Sequence, residues 1–205
     1  MTVKDRKHDG HRLESRETIY EGNVFSFVSD DLTLEGQSTS IRREYIAHPG
    51  AVAIVPIRDT EKGPEVLMLS QYRHPVSAIL WELPAGLLDK EGEDPLEAAK
   101  RELAEEAGLQ ADTWHVLVDI FSSPGCLSES LRIFLARDLS DSDLEYERTE
   151  EEADMTYEWL PLAEAVKLAH NGSIHNATTL NGLFSAASAL NGHGELRDPG
   201  AEWLR

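Results

Sequence analysis

Apolar and polar positions alternate loosely through residues 17–28 (ETIYEGNVFSFV), 31–35 and 39–47 (TSIRREYIA), a pattern that predicts short, half-exposed strands. Glu35-Gly36 divides the last two. Residues 15–48 therefore read as a small N-terminal β unit, with too little apolar surface to stand alone, that packs on the main body or on a second subunit. Residues 1–14 are polar and read as a flexible N-terminus. After Gly50 the pattern changes. AVAIVPI (51–57) is an unbroken apolar run of strand length, the mark of a strand covered on both faces. VLMLSQY (66–72) follows a charged turn from Asp59 to Gly63, and WELPAG (81–86), WHVLVDIFSS (114–123), LRIFLAR (131–137) and MTYEWL (155–160) continue the strands. Helical spacing appears between Asp94 and Gly108, over 161–171 before Gly172, and over 177–190. Strands mixed irregularly with few helices predict an α+β fold for residues 49–190, a mixed sheet sandwiched between helices (α/β/α) rather than a regular βαβ array. Residues 191–205 read as a polar tail, with Trp203 available to dock.

The first helix is legible from its ends. Asp94 is a good N-cap, Pro95 takes the first helical position, Glu97 stands three after the cap, and Gly108 supplies the stop. Leu96, Ala99, Leu103 and Ala107 form a narrow apolar stripe to bury. Glu102 and Glu106 flank that stripe and, four apart, project from one face. Two carboxylates so placed repel by up to ~3 kcal/mol at ~5 Å and an effective dielectric near ~20. A divalent cation turns that cost into binding. Arg101 and Glu105 are also four apart and can pair. Such a cluster most often means an exposed helix laced with charge pairs. The preceding loop argues otherwise, because Gly86 permits a turn that brings backbone carbonyls beside the carboxylates. The result is an all-oxygen site suited to Mg²⁺ or Mn²⁺.

Composition narrows the partners. The 205 residues carry 19 basic and 38 acidic side chains, a net charge of −19, which argues against a nucleic-acid backbone or an anionic membrane as partner. An anionic small molecule needs metal ions and a few placed arginines to approach. Arg73 and Arg43 are the best such contacts, through their forked donors. Glu82 and Glu129 can accept hydrogen bonds from a ligand's hydroxyls or meet a metal, and Phe25 can stack on a flat ring or serve the core. The single cysteine, Cys126, excludes an intrachain disulfide and fits a reducing compartment. With no apolar run of membrane-spanning length and no hydrophobic signal core, the expected location is cytoplasmic.

The segment from Gly86 to Leu109 resembles the Nudix box, G-x5-E-x7-R-E-U-x-E-E-x-G-U, where U is bulky aliphatic. Arg101-Glu102-Leu103-Ala104-Glu105-Glu106-Ala107-Gly108-Leu109 fits every defined position of the second half. Six residues instead of five separate Gly86 from Glu93, which reads as an insertion in the loop before Asp94 and puts only the role of Glu93 in question. The resemblance implies a Nudix fold and hydrolysis of a nucleoside diphosphate linked to another group. The N-terminal β unit, QYRHP (71–75), WELPAG, Pro124 fifteen residues past Leu109, and the acidic segment Glu150–Asp154 resemble the ADP-ribose pyrophosphatase subgroup.

That resemblance implies metal ligation by Glu102, Glu106 and the Ala85 carbonyl, with Glu105 assisting through Arg101 or a metal-bound water. It makes Glu152 the carboxylate that orients or deprotonates the attacking water, with Glu151 the near alternative. It further implies a homodimer whose N-terminal unit reaches across to the adenosine end of the substrate. Other nucleoside diphosphate sugars, dinucleotides or coenzyme A remain alternative substrates. A non-catalytic ADP-ribose sensor is disfavoured by the complete helix carboxylates and the lack of a basic domain.

Overall fold

In the computed structural model, which describes residues 3–144 and 155–205, the apolar run at 51–57 becomes β4 (Ala51–Thr60), the middle of a seven-stranded mixed sheet. Its neighbours are β5 (Gly63–Arg73), antiparallel, and β9 (Ser130–Asp141), parallel. β8 (Leu109–Phe121) and β10 (Thr156–Pro161) close the two sides. WELPAG forms two short strands, β6 (Ala78–Glu82) on β5 and β7 (Ala85–Leu87) on β4.

Both faces of β4 are covered, which is why its sequence does not alternate. Ala53, Val55 and Ile57 pack with Ile133 and Leu135 beneath α2 (Leu162–His170) and α3 (Ala177–Leu190). Val52 and Ile54 pack with Phe134 against Ala98, Ala99 and Leu103 of α1 (Pro95–Ala107). The α/β/α sandwich expected from the sequence is the one observed. Among the described residues, no helix is long and apolar enough to cross a membrane.

The N-terminal strands form a separate antiparallel sheet, β1 (His11–Glu21), β2 (Ser26–Leu34) and β3 (Ile41–Ala47). Two expectations need correction. β1 starts at His11, so residues 11–14 belong to a strand and not to a flexible N-terminus. The single strand expected over 17–28 is instead two, divided by a turn in which the Gly22 N–H donates to the Phe25 carbonyl at 3.0 Å. Both errors have one cause. β1 is exposed along its whole length and is held by its ladder and by ion pairs, so its few apolar residues mark neither its start nor its end. The chief pair is Arg16 forking buried Asp30, with both bonds at 2.7 Å.

The N-terminal sheet is tied to the main sheet where β3 ends, through a parallel bridge between Ile46 and Leu127. The C-terminal segment is tied too. Arg197 exchanges backbone hydrogen bonds with Val116, and Trp203 lies over the guanidinium of Arg132, 4.8 Å from ring centroid to Cζ.

Candidate functional site

α1 begins and ends where its caps dictate. The Asp94 side chain accepts the Leu96 N–H at 2.9 Å, Pro95 opens the helix, and Gly108 leaves it in the left-handed region at φ 65°. Glu97 turns to Lys100 (2.7 Å), so the reciprocal half of the capping box is given up for an ion pair. The extra residue before Glu93 is absorbed in a turn closed by Glu93 N–H to the Lys90 carbonyl, with Gly92 at φ 77° where a side chain is disfavoured. Glu93 can then reach back to the helix. It forks Arg101, with Nε–Oε1 at 3.0 Å and Nη2–Oε2 at 3.1 Å.

Arg101 also donates to Glu102 at 2.6 Å and to Glu105 at 3.1 Å, so one guanidinium serves three carboxylates. It holds the Glu93 carboxyl below the usual range. Burial pushes the Glu102 carboxyl the other way, against the opposing pull of Arg101. The signs separate in acid. The Glu93 contribution is complete above the ordinary glutamate value, roughly pH 4, and is lost as pH falls through its depressed folded value. Glu102, with a raised value, instead favours the folded state as it protonates. Relative to wild type, Glu93→Gln is therefore expected to melt lower at pH 7. That gap should narrow as both proteins are taken below roughly pH 4. A gap that stays constant from pH 7 to pH 3 excludes the ion pair as its source.

Glu106 is buried at 8% exposure, and one of its oxygens accepts the Ala85 N–H at 2.9 Å. The next residue explains the glycine of the box. A Cβ on Gly86 would stand 2.0 Å from the Glu102 carboxyl carbon, so the β7 backbone lies directly against that side chain. The expectation from the sequence is a turn carrying backbone carbonyls to the carboxylates; the backbone does come alongside them, but as a strand, and it offers Glu106 the Ala85 N–H rather than a carbonyl. Both carboxylates are largely shielded from water, a chemistry that fits a hard divalent cation. Among the described residues, no three His, Cys, Asp or Glu side chains converge into a ready-made metal cage. Glu151 and Glu152 lie outside the described residues.

Ala85 and Gly86 of β7 also line a cleft of about 460 Å³, together with Arg73, Glu82 and Glu129, among others. Arg73 of β5 and Glu82 of β6 form a forked pair, Nε–Oε1 3.0 Å and Nη2–Oε2 2.7 Å. Glu82 is buried at 5%, while Arg73 keeps 41% of its side chain exposed at the cleft. Two predicted contacts are elsewhere in the monomer. Phe25 sits exposed in the β1–β2 turn, and it is Val24 that lines the cleft. Arg43 faces Asp30 across β2 and β3, but Arg16 and Tyr45 already hold that carboxylate. Arg43 therefore donates to the Arg42 carbonyl at the surface.

Sequence reasoning missed Asn176 and Thr178, which bring the start of α3 to the cleft. Asn176 caps α3 by accepting the Thr179 N–H at 2.9 Å, a role its position announces, but nothing local reveals the cleft beside it.

The NUDIX domain family matches residues 47–180, well over half of the chain. An ADP-ribose pyrophosphatase of Mycobacterium tuberculosis is 41% identical over 198 residues, 97% of this chain and 93% of that protein. An ADP-ribose pyrophosphatase of Bacillus subtilis is 34% identical over 165 residues, 80% of this chain and 86% of that one. The crystal structure of an ADP compounds hydrolase superposes with a TM-score of 0.72 at 27% identity, covering 93% of this chain and 99% of that one. With the box on α1, the sandwich around β4 and these relatives in agreement, the chain belongs to the Nudix hydrolase family.

Proposed function

We propose that this Nudix hydrolase cleaves ADP-ribose at its diphosphate, giving AMP and ribose 5-phosphate, with Mg²⁺ or Mn²⁺ as cofactor. The observation that carries the reading is the double role of Ala85 and Gly86. They form a wall of the cleft, and the same two residues hold Glu106 and abut Glu102. A diphosphate lying in the cleft is then one backbone away from the carboxylate pair. The relatives named ADP-ribose pyrophosphatase, one of them matched over nearly the full chain, support the choice of substrate.

In this reading Glu102, Glu106 and the Ala85 carbonyl hold the ion, with a further oxygen from the acidic segment Glu150–Asp154 or the substrate. When bound, the ion offsets the charge of the diphosphate and acidifies a coordinated water. Arg101 keeps Glu102 and Glu105 in place. Arg73, oriented by Glu82, offers donors to a phosphate or ribose, a local positive charge that a chain of net −19 needs. Glu82 and Glu129 accept hydrogen bonds from ribose hydroxyls. Glu152 takes the proton of the attacking water, and Glu151 is the near alternative.

Phe25 and Arg43 act across a homodimer, where the N-terminal sheet serves the partner's adenosine end. The exposed Leu13, Ile19 and Tyr20 of β1 supply apolar surface for a second copy. The enzyme works in the cytoplasm, where the exposed thiol of Cys126 stays reduced, and its charge keeps it from nucleic acids and anionic membranes.

Incubation with Mg²⁺ and a panel of ADP-ribose, NADH, GDP-mannose and diadenosine compounds tests the reading. The expected products from ADP-ribose are AMP and ribose 5-phosphate. Turnover of another compound with ADP-ribose left intact overturns the substrate, and tight ADP-ribose binding with no cleavage of any compound points to a sensor. Glu152→Gln is expected to lower kcat by on the order of 10²-fold at unchanged melting temperature, the usual contribution of a general base. Near-normal turnover moves the role to Glu151.

A further inference from the structure

The segment joining the two sheets, Ile46 to Gly50, is laced to the strand-entry loop that carries Glu129. Ile46 N–H donates to the Cys126 carbonyl, Ser128 N–H returns to the Ile46 carbonyl, and His48 N–H donates to Ser128 Oγ, each at 2.9 Å. Within this lacing the imidazole of His48 has its chemistry fixed. The Gly50 N–H donates to Nδ1 at 3.1 Å, and a backbone N–H can only donate, so Nδ1 is the lone-pair nitrogen and the neutral ring carries its proton on Nε2. Nε2 faces Glu129 Oε1 at 3.7 Å, while Glu129 Oε2 accepts the Ser122 hydroxyl. Both side chains are largely buried, with 11% of His48 and 17% of Glu129 exposed, yet Glu129 borders the cleft.

The geometry points to His48 as a positioning residue. With Ser122 it grips Glu129 from both sides and presents that carboxylate to a ribose hydroxyl of the bound substrate. The 3.7 Å separation is longer than a hydrogen bond, and a small rotation of either side chain closes it. A histidine that merely braced the turn at Gly50 would need only the Nδ1 contact and would leave Nε2 with nothing to hold. The device also links the N-terminal sheet to the cleft, because the strand that ends at Ala47 leads straight into His48.

The inference rests on Glu129 serving substrate, as proposed above, and its test separates the two. His48→Ala is expected to raise KM for ADP-ribose about tenfold with kcat within about twofold of wild type, the scale of losing an orienting hydrogen bond. His48→Gln, whose amide N–H₂ reaches the position of Nε2, retains most of the affinity. In the Glu129→Ala background, His48→Ala adds nothing further. Two results overturn the assignment: equal losses in the Gln and Ala variants, or full additivity with Glu129→Ala. If ADP-ribose is not the substrate, the same comparison is made on whichever nucleoside diphosphate the wild type cleaves, so a failed substrate reading shows in wild type alone. Independently of turnover, ¹⁵N spectra of labelled histidine must show the Nε2-protonated tautomer for His48, and an Nδ1-protonated ring sinks the proposal.

Discussion

Alanine at Gly86 is expected to lower kcat/KM for diphosphate hydrolysis by on the order of 10³-fold while moving the melting temperature by only a few degrees, because it evicts one carboxylate and leaves the fold intact. The added Cβ would lie 2.0 Å from both Cδ and Oε1 of Glu102 and 2.4 Å from Cγ, separations no real contact has. Something must move, and the backbone is the costlier choice: Gly86 pairs with Val52 in the ladder of β7 on β4. The Glu102 carboxylate is the free end of a flexible side chain and yields instead. Gly86 is not among the glycines of positive φ, so alanine adopts its conformation without strain. The loss should be no worse in Gly86→Ala/Glu102→Ala than in Glu102→Ala alone, since both act on one group. Steady-state kinetics over a Mg²⁺ series with parallel thermal melts decide it. Wild-type turnover in Gly86→Ala removes Glu102 from the metal site.

That steric relation was only half legible in the sequence, and the half that was legible is local. Caps, apolar stripe and paired carboxylates all lie within one helix, so spacing alone placed Asp94, Gly108, Glu102 and Glu106. β4 was equally plain, because a strand buried on both faces writes its burial as an unbroken run. The cleft was not plain, because it is assembled from β5, β6, β7, the approach to β9 and the start of α3. Arg73 and Glu82 were each picked out singly, and only the β5–β6 pairing reveals them as one forked unit. Phe25 and Val24 show the limit most sharply. A turn where a strand was expected decides which of two adjacent apolar residues faces the cleft. His48 gave no signal at all, since its partners are a backbone N–H two residues on and a carboxylate on a distant loop.

The same distance hid a contact that ties down the C-terminal segment, and replacing Arg132 by methionine is expected to cost about 3 kcal/mol, the low end for breaking a buried ion pair. Only 3% of Arg132 is exposed, and its guanidinium is spent completely. Nε and Nη2 fork Asp119 at 2.7 and 3.1 Å, Nη1 donates to the Ala201 carbonyl at 2.9 Å, and Nη2 also reaches the Glu202 carbonyl at 3.2 Å. Methionine matches the aliphatic stem but leaves those carbonyls without their donor and Trp203 without the cation beneath its ring. Arg197 still reaches Asp119 at 2.9 Å, which keeps the cost from the upper end of the range. Lysine recovers only part of the loss, because a single ammonium cannot fork a carboxylate and serve two carbonyls at once. In a chain of this size the methionine variant should melt about 6–12 °C lower. The distinguishing result is a cycle with removal of residues 199–205: if Arg132 works by clamping that segment, the two changes cost far less together than their sum. Strict additivity assigns the stability to the Asp119 pair alone and leaves the tail a passenger.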